Sequence, residues 1–151
     1  MKHIRTSFAP EPGFYNQGVL VDPNSHTFLF LAGQTGNIPG IKDEPVIEGG
    51  VLAQTTQTLE NLLSVVAAAG GDIHSFVALE VFIKDAGTDE GRAASRKEFA
   101  AAYQKFFEKY NVPKDKLPTR CLVWVSEVPL EYPVEDTLVE IKGVAAIPRE
   151  A

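Results

Sequence analysis

The sequence predicts an α+β fold, a mixed β-sheet with two helices packed on one of its faces, in the order β-β-α-β-α-β-β. Three observations carry that expectation. Two segments of the 151-residue chain place apolar residues at helical spacing, shorter runs are rich in β-branched and aromatic residues, and each helical segment has such a run before and after it.

Residues 1–12 read as an irregular lead-in, because Pro10 and Pro12, followed by Gly13, interrupt any regular structure. The apolar runs 19–22 and 27–32 flank Pro23-Asn24-Ser25-His26, which has turn chemistry, so they are expected to form a hairpin. Gly36, Pro39, Gly40, Pro45, Gly49 and Gly50 then break up an exposed loop. A helix is predicted over 51–69. Leu52, Leu59, Leu62, Leu63 and Val66 form its apolar stripe, Gln54, Gln57, Glu60 and Asn61 its polar side, and Gly70-Gly71 its stop. Residues 76–84 are β-branched and aromatic throughout, as in a strand covered on both faces. A second helix is expected over 92–110, burying Phe99, Tyr103, Phe106, Phe107 and Tyr110, with Pro113 beyond its end. Runs 119–127 and 137–146 complete the sheet, separated by a loop containing Pro129 and Pro133. Two helices cover only one sheet face, so the other is expected to be covered by another copy of the chain.

Nothing divides the chain, and residues 1–151 read as a single domain. With 44% hydrophobic and 23% charged residues, the composition is that of a folded domain and not of a disordered segment. A formal net charge of -6 repels phosphate, and no basic patch offsets it, so no nucleic-acid partner is expected. Cys121, the one cysteine, has no disulfide partner within the chain, which suits a reducing compartment and a cytoplasmic location; it reads as a packing residue. The basic start is not followed by an apolar signal core, and no apolar run is long enough to span a bilayer, so no membrane association is expected.

Elimination narrows the chemistry. His3, His26 and His74 lie far apart without ligands at metal-binding spacing, so no metal is expected. Gly33-Gln34-Thr35-Gly36 lacks the lysine and the following helix of a phosphate loop, and its glycines read as serving turns. No serine sits in a nucleophile elbow, and Cys121 has no neighbouring histidine. What remains is Arg120, opening an otherwise apolar strand. It either reaches solvent or a surface glutamate at the strand end, or it holds the carboxylate of a ligand against apolar walls, for which its planar fork is suited. Glu140, between Val139 and Ile141, is either the polar member of an alternating strand or a group that orients water. Tyr15 reads as an anchoring aromatic unless it lines a site.

Together, Gly13-Phe14-Tyr15-Asn16-Gln17-Gly18, Leu31-Ala32-Gly33-Gln34, Ala68-Ala69-Gly70, Val81-Phe82-Ile83-Lys84-Asp85, Pro118-Thr119-Arg120-Cys121 and Val139-Glu140-Ile141 resemble the Rid family, also called YjgF or L-PSP proteins. The resemblance runs in order through nearly the whole chain. It implies a chorismate-mutase-like fold and a homotrimer with clefts between subunits. It also implies hydrolysis of a small imino or enamine acid to keto acid and ammonia, without cofactor or metal. Arg120 then matches the arginine that grips the substrate carboxylate and Glu140 the glutamate that positions the attacking water. Tyr15, Gly33, Ala32 and Leu122 line the cleft.

The chain departs from the best-known deaminating members of that family. Where they carry a serine before the glycine-glutamine pair, an asparagine in the second helix and a cysteine two residues after the arginine, this chain has Ala32, Ala100 and Leu122. The loops over 34–50, 85–95 and 129–136 also look longer. A less polar pocket fits larger, unsaturated substrates, as in members similar to 2-aminomuconate deaminase. Two other classes remain open. One is a regulatory protein that binds small carboxylates without turnover, and the other is an endoribonuclease, against which the acidic balance argues.

Overall fold

A computed structural model describes residues 1–128 and 137–149. It contains strands β1 (Lys2–Ile4), β2 (Gly18–Leu20), β3 (His26–Thr35), β4 (Phe76–Lys84), β5 (Thr119–Val125) and β6 (Val139–Pro148). The helices are α1 (Gly50–Ala68) and α2 (Asp89–Lys109). From β2 onward the order is the expected β-β-α-β-α-β-β. The loop with Pro129 and Pro133 lies outside the described residues.

Four strands form one mixed sheet in the order β3-β6-β4-β5, with only the β4–β5 pair parallel. Paired residues share a face, so register sorts the side chains. Leu79, Val81 and Ile83 of β4 align with Gly143, Ile141 and Val139 of β6 and with Arg120, Leu122 and Trp124 of β5. That face carries both helices. Leu59, Leu62 and Val66 of α1 and Phe99, Tyr103 and Phe107 of α2 are buried in the same core as Leu79, Val81, Ile83 and Ile141. The Phe76 and Phe107 rings meet edge-on with centroids 6.4 Å apart, fixing α2 over the start of β4. Each of these large side chains contributes roughly 1.5–3 kcal/mol by leaving water.

Among the described residues the opposite face bears no helix. Phe30 is 80% exposed there and Phe28 and Val123 are each 43% exposed. The α+β class with helices on one face is therefore as expected.

Several local features differ from the sequence-based expectation. Gly18–Leu20 does not pair across the turn with β3; it pairs antiparallel with Lys2–Ile4 in a separate two-stranded sheet, so residues 1–12 are not wholly irregular. The turn itself forms, with the Ser25 amide donating to the Asp22 carbonyl, but β3 takes β6 as its neighbour, a far longer partner. Gln54 is buried and not solvated, because its Oε1 accepts a 2.7 Å hydrogen bond from the Leu138 amide, while Leu52 is exposed. α2 begins at Asp89, three residues earlier than expected, where the Thr88 hydroxyl accepts from the Gly91 amide and caps the helix. Cys121 is exposed, because the pleat that turns Arg120 toward the helices turns Cys121 to the bare face. It is therefore no packing residue.

Gly143 faces the core at the β4–β6 pair. A Cβ added there would fall 2.2 Å from the Ala78 carbonyl oxygen and 2.9 Å from a Leu79 methyl. Rigid backbone is the obstacle, so Gly143→Ala is expected to cost about 1–3 kcal/mol, as overpacking does. Urea unfolding checks this through a lower midpoint at an unchanged slope.

Candidate functional site

Arg120 stands one residue into β5, an edge strand of the sheet, and its place on the same face as the half-buried Leu122 and Trp124 directs it under α2. There it meets three rings. Its guanidinium carbon lies 4.9 Å from the centre of Tyr103, 5.1 Å from Phe99 and 5.2 Å from Tyr15. Each such contact is worth about 0.5–2 kcal/mol according to how far it is desolvated. Among the described residues Arg120 has no carboxylate and no hydrogen-bond acceptor as a partner. Burial lowers its affinity for its proton most, and the nearby Arg96 charge acts in the same direction, although an arginine stays charged at neutral pH. The Tyr103 hydroxyl is fully buried without a hydrogen-bond partner, and desolvation pushes its pKa upward.

Phe99 and Tyr103 thus do more than fill the core. Sequence reading took them only as a buried stripe, and the signal available was their spacing opposite the one arginine of an apolar strand.

Tyr15 reaches this pocket from a segment with no regular structure, which side chains hold in place. Asn16 is buried, its backbone amide donates to the Pro118 carbonyl at 3.1 Å, and its side-chain amide donates to the Leu117 carbonyl at 2.6 Å. Arg5 donates to Asn16 Oδ1 at 2.7 Å and to the Tyr15 carbonyl at 3.0 Å. The lead-in is strapped to the residues just before Arg120, and Tyr15 is placed over the guanidinium as a consequence. Sequence reading passed over Asn16.

Glu140 belongs to a second cluster. It aligns with Phe82 of β4 and Thr35 of β3, hence faces the side without helices. Between Leu31 and Gln34 the β3–β6 register shifts, so Ala32 and Gly33 together oppose one residue of β6 and form a β-bulge. The Glu140 carboxylate lies over that bulge; a Cβ at Gly33 would fall 1.9 Å from its Oε1. Gly33 therefore serves a close approach within a strand, not a turn, and Gly36 gives the same service to α1, where a Cβ would lie 2.9 Å from Gln54 Cα.

The six residues singled out from sequence thus form two groups. Tyr15, Arg120 and Leu122 gather on the helix side of the sheet, and Ala32, Gly33 and Glu140 gather on its bare side. A single copy of the chain does not bring Arg120 and Glu140 together. Among the described residues no three His, Cys, Asp or Glu side chains converge as a metal site would require, and no helix is long and apolar enough to cross a membrane.

Comparison with known proteins adds to this geometry. The sequence model of a family described as Endoribonuclease L-PSP matches residues 7–147. A RutC family protein of Synechocystis sp. is 34% identical over 152 residues, covering 98% of both chains. One from Pyrococcus horikoshii is 31% identical over 143 residues, covering 94% of both. Among solved structures, the YjgF gene product of E. coli is similar with a TM-score of 0.62 at 30% identity, over 99% of this chain and 100% of that one. E. coli TdcF with bound serine has the same score at 28% identity and the same coverage.

The obstacle at Gly33 is the free end of a side chain and not backbone, in contrast to Gly143. Gly33→Ala is therefore expected to swing the Glu140 carboxylate away while the sheet survives. A melting temperature within about 4 °C of the unmodified protein, corresponding to roughly 1 kcal/mol, together with a crystal structure showing the displaced carboxylate, checks this.

Proposed function

The chain belongs to the endoribonuclease L-PSP family, the Rid or YjgF proteins, and from that premise we propose that it hydrolyses imines or enamines of amino acids to keto acids and ammonia. The observation that carries this reading is Arg120. A desolvated guanidinium bedded on three aromatic rings, with no acidic partner among the described residues, is a site that gains by taking up an anion. The relative TdcF holds serine, a small carboxylate of the class proposed.

Arg120 and Glu140 face opposite ways, so the catalytic site is assembled from two copies. The bare face of one copy, with Phe28, Phe30 and Val123 exposed, covers its apolar surface against a neighbour and presents Glu140 to that neighbour's Arg120 pocket. A homotrimer closes this head-to-tail arrangement with three equivalent clefts.

The chemistry then follows from position. The Arg120 fork binds the substrate carboxylate through two parallel hydrogen bonds and fixes the adjacent imine carbon. An enamine first becomes the imine by taking up a proton at carbon and giving one up from nitrogen. Glu140 accepts a proton from a water molecule as the water oxygen adds to the imine carbon and the C=N electron pair moves to nitrogen, and it then passes that proton to the nitrogen. The carbinol oxygen then gives its proton to the nitrogen, the C–N bond breaks with its electron pair leaving on ammonia, and the carbonyl forms. An imine is already electrophilic, so this route calls for no cofactor. Ala32, Ala100 and Leu122 offer carbon contact in place of hydrogen bonds, which favours substrates larger than 2-aminoacrylate, at about 0.8 kcal/mol for each additional buried CH₂.

Imines generated enzymatically from amino acids, with keto-acid and ammonia readout, test the activity. Arg120→Lys retains charge but loses the fork, so kcat/KM is expected to fall about 100-fold with fold and assembly intact. Glu140→Gln is expected to lower kcat more than it changes KM, since the carboxylate grip survives. Near-normal rates in both variants would refute the assignment. A protein that turns over no imine but binds RNA in a salt-dependent manner would instead carry the activity in the family's name.

Light scattering is expected to give three times the 16.4 kDa of one chain. Dissociation by dilution should abolish turnover, because each half-site is inert alone; an active monomer would overturn the composite site.

A further inference from the structure

We propose that Arg96 is a second anion-binding residue beside Arg120, and that the substrates of this site are dicarboxylic imino or enamine acids. The inference rests on the deaminase reading for its reaction, but on different observations for its ligand.

The chain has five arginines. Arg5 donates to Asn16, Arg92 is held by Asp85 and Asp89, and Arg149 donates to the His26 carbonyl. Arg96 and Arg120 have no hydrogen-bond or ion-pair partner among the described residues. In a chain with 20 acidic and 14 basic side chains, carboxylates are not scarce, yet the two unpartnered arginines are neighbours.

Helical geometry makes them so. Positions 96, 99, 100 and 103 fall on one stripe of α2, and the Phe99 and Tyr103 rings of that stripe are those on which the Arg120 guanidinium lies. Arg96 precedes Phe99 and Ala100 by one turn, about 4.5–6 Å along the axis at 1.5 Å per residue, and Tyr103 by two turns. Its charge bears on Arg120, with which it interacts unfavourably. Arg96 is exposed, at the open end of the stripe, while Phe99 is buried and Ala100 leaves the space between them uncluttered.

Two cations thus face a short apolar floor. A monocarboxylate neutralises Arg120 and leaves the repulsion from Arg96 in place. A molecule with carboxylates at both ends of a short carbon chain neutralises both and lays its chain along the exposed Ala100, above the buried Phe99. Charge-assisted contacts at both ends also set its direction, because the carboxylate next to the imine carbon belongs at the aromatic-backed Arg120. The replacement of polar residues by Ala100 and Leu122 then serves the middle of the ligand and not its ends.

Equilibrium titration of the assembled protein with two unreactive keto acids of equal chain length, 2-oxoglutarate and 2-oxopentanoate, tests this. The wild type is expected to prefer 2-oxoglutarate by at least about tenfold, ~1.4 kcal/mol. Arg96→Gln should bring that ratio close to one, and Arg96→Lys should restore most of it, with circular dichroism and light scattering unchanged in both. Rates on the imines of glutamate and norvaline are measured in parallel. No preference in the wild type, or an equal preference in Arg96→Gln, overturns the proposal; turnover of the norvaline imine in that case leaves the deaminase reading standing. Selective, Arg96-dependent binding of 2-oxoglutarate without turnover of either imine upholds Arg96 as the second anion-binding residue of a dicarboxylate site and overturns both the deaminase reading and the imino-acid substrates that rest on it.

Discussion

A residue in a strand faces one side of its sheet or the other, and in this sheet the two sides have different solvents. The helix side is closed by Leu59, Leu62 and Val66 of α1 and by the aromatic stripe of α2, whereas the bare side exposes Phe28 and Phe30. Register with Leu79 puts Arg120 on the closed side; register with Phe82 puts Glu140 on the bare side. A one-residue slip of either strand would exchange the environments of every side chain in it, and the cost of burying Glu140 or exposing Ile141 holds the register firm. The division of the candidate site into two half-sites is thus a consequence of the same alternation that builds the core.

Burying Arg120 without a counter-ion among the described residues is the main liability of the arrangement. Coulombic attraction grows as the effective dielectric falls, so a carboxylate arriving at such a group gains more than it would at a surface arginine. The cost of desolvating the cation is met when the protein folds, not when the ligand binds. The rings of Tyr15, Phe99 and Tyr103 offset part of it and leave the hydrogen-bonding edge unused. Tyr15 depends in turn on Asn16 and Arg5. A segment lacking secondary structure is held by side-chain hydrogen bonds to backbone carbonyls, the usual means of ordering a loop that must sit at a defined place.

Much of this was legible in the sequence, because apolar periodicity reports what faces the core. It located both helices within a few residues and matched Phe76–Lys84 residue for residue. It did not report which strands pair. Turn chemistry at Pro23-Asn24 is local, whereas β3 chose β6 on the strength of its length and burial, leaving Gly18–Leu20 to Lys2–Ile4. Gln54 was misplaced for the same reason, since its partner, the Leu138 amide, is 84 residues away. At the site, Arg120 and Glu140 stood out as polar residues in apolar strands, but their side chains' destinations depend on register with β4. Family resemblance supplied their roles; the ring contacts, the bulge at Gly33 and the two faces required coordinates.

The half-sites also differ in what they can contribute to a reaction. In the proposed reaction the substrate carboxylate, remote from the bond being broken, keeps its charge throughout, so the Arg120 contact has much the same strength in the ground state and the transition state. Its main effects are affinity and placement. In the proposed reaction Glu140 acts on a water molecule whose acidity rises only as its oxygen bonds to carbon, so its contribution is concentrated in the transition state. Arg120 stands on the edge strand β5 and Glu140 on the interior strand β6, with β4 between them. Because the two residues share no contacts within a chain, binding and chemistry sit on separable elements. The grip can drift with the surroundings of α2, at Arg96 and Ala100, while the bulge at Gly33 and the carboxylate above it are held unchanged by the β3–β6 ladder.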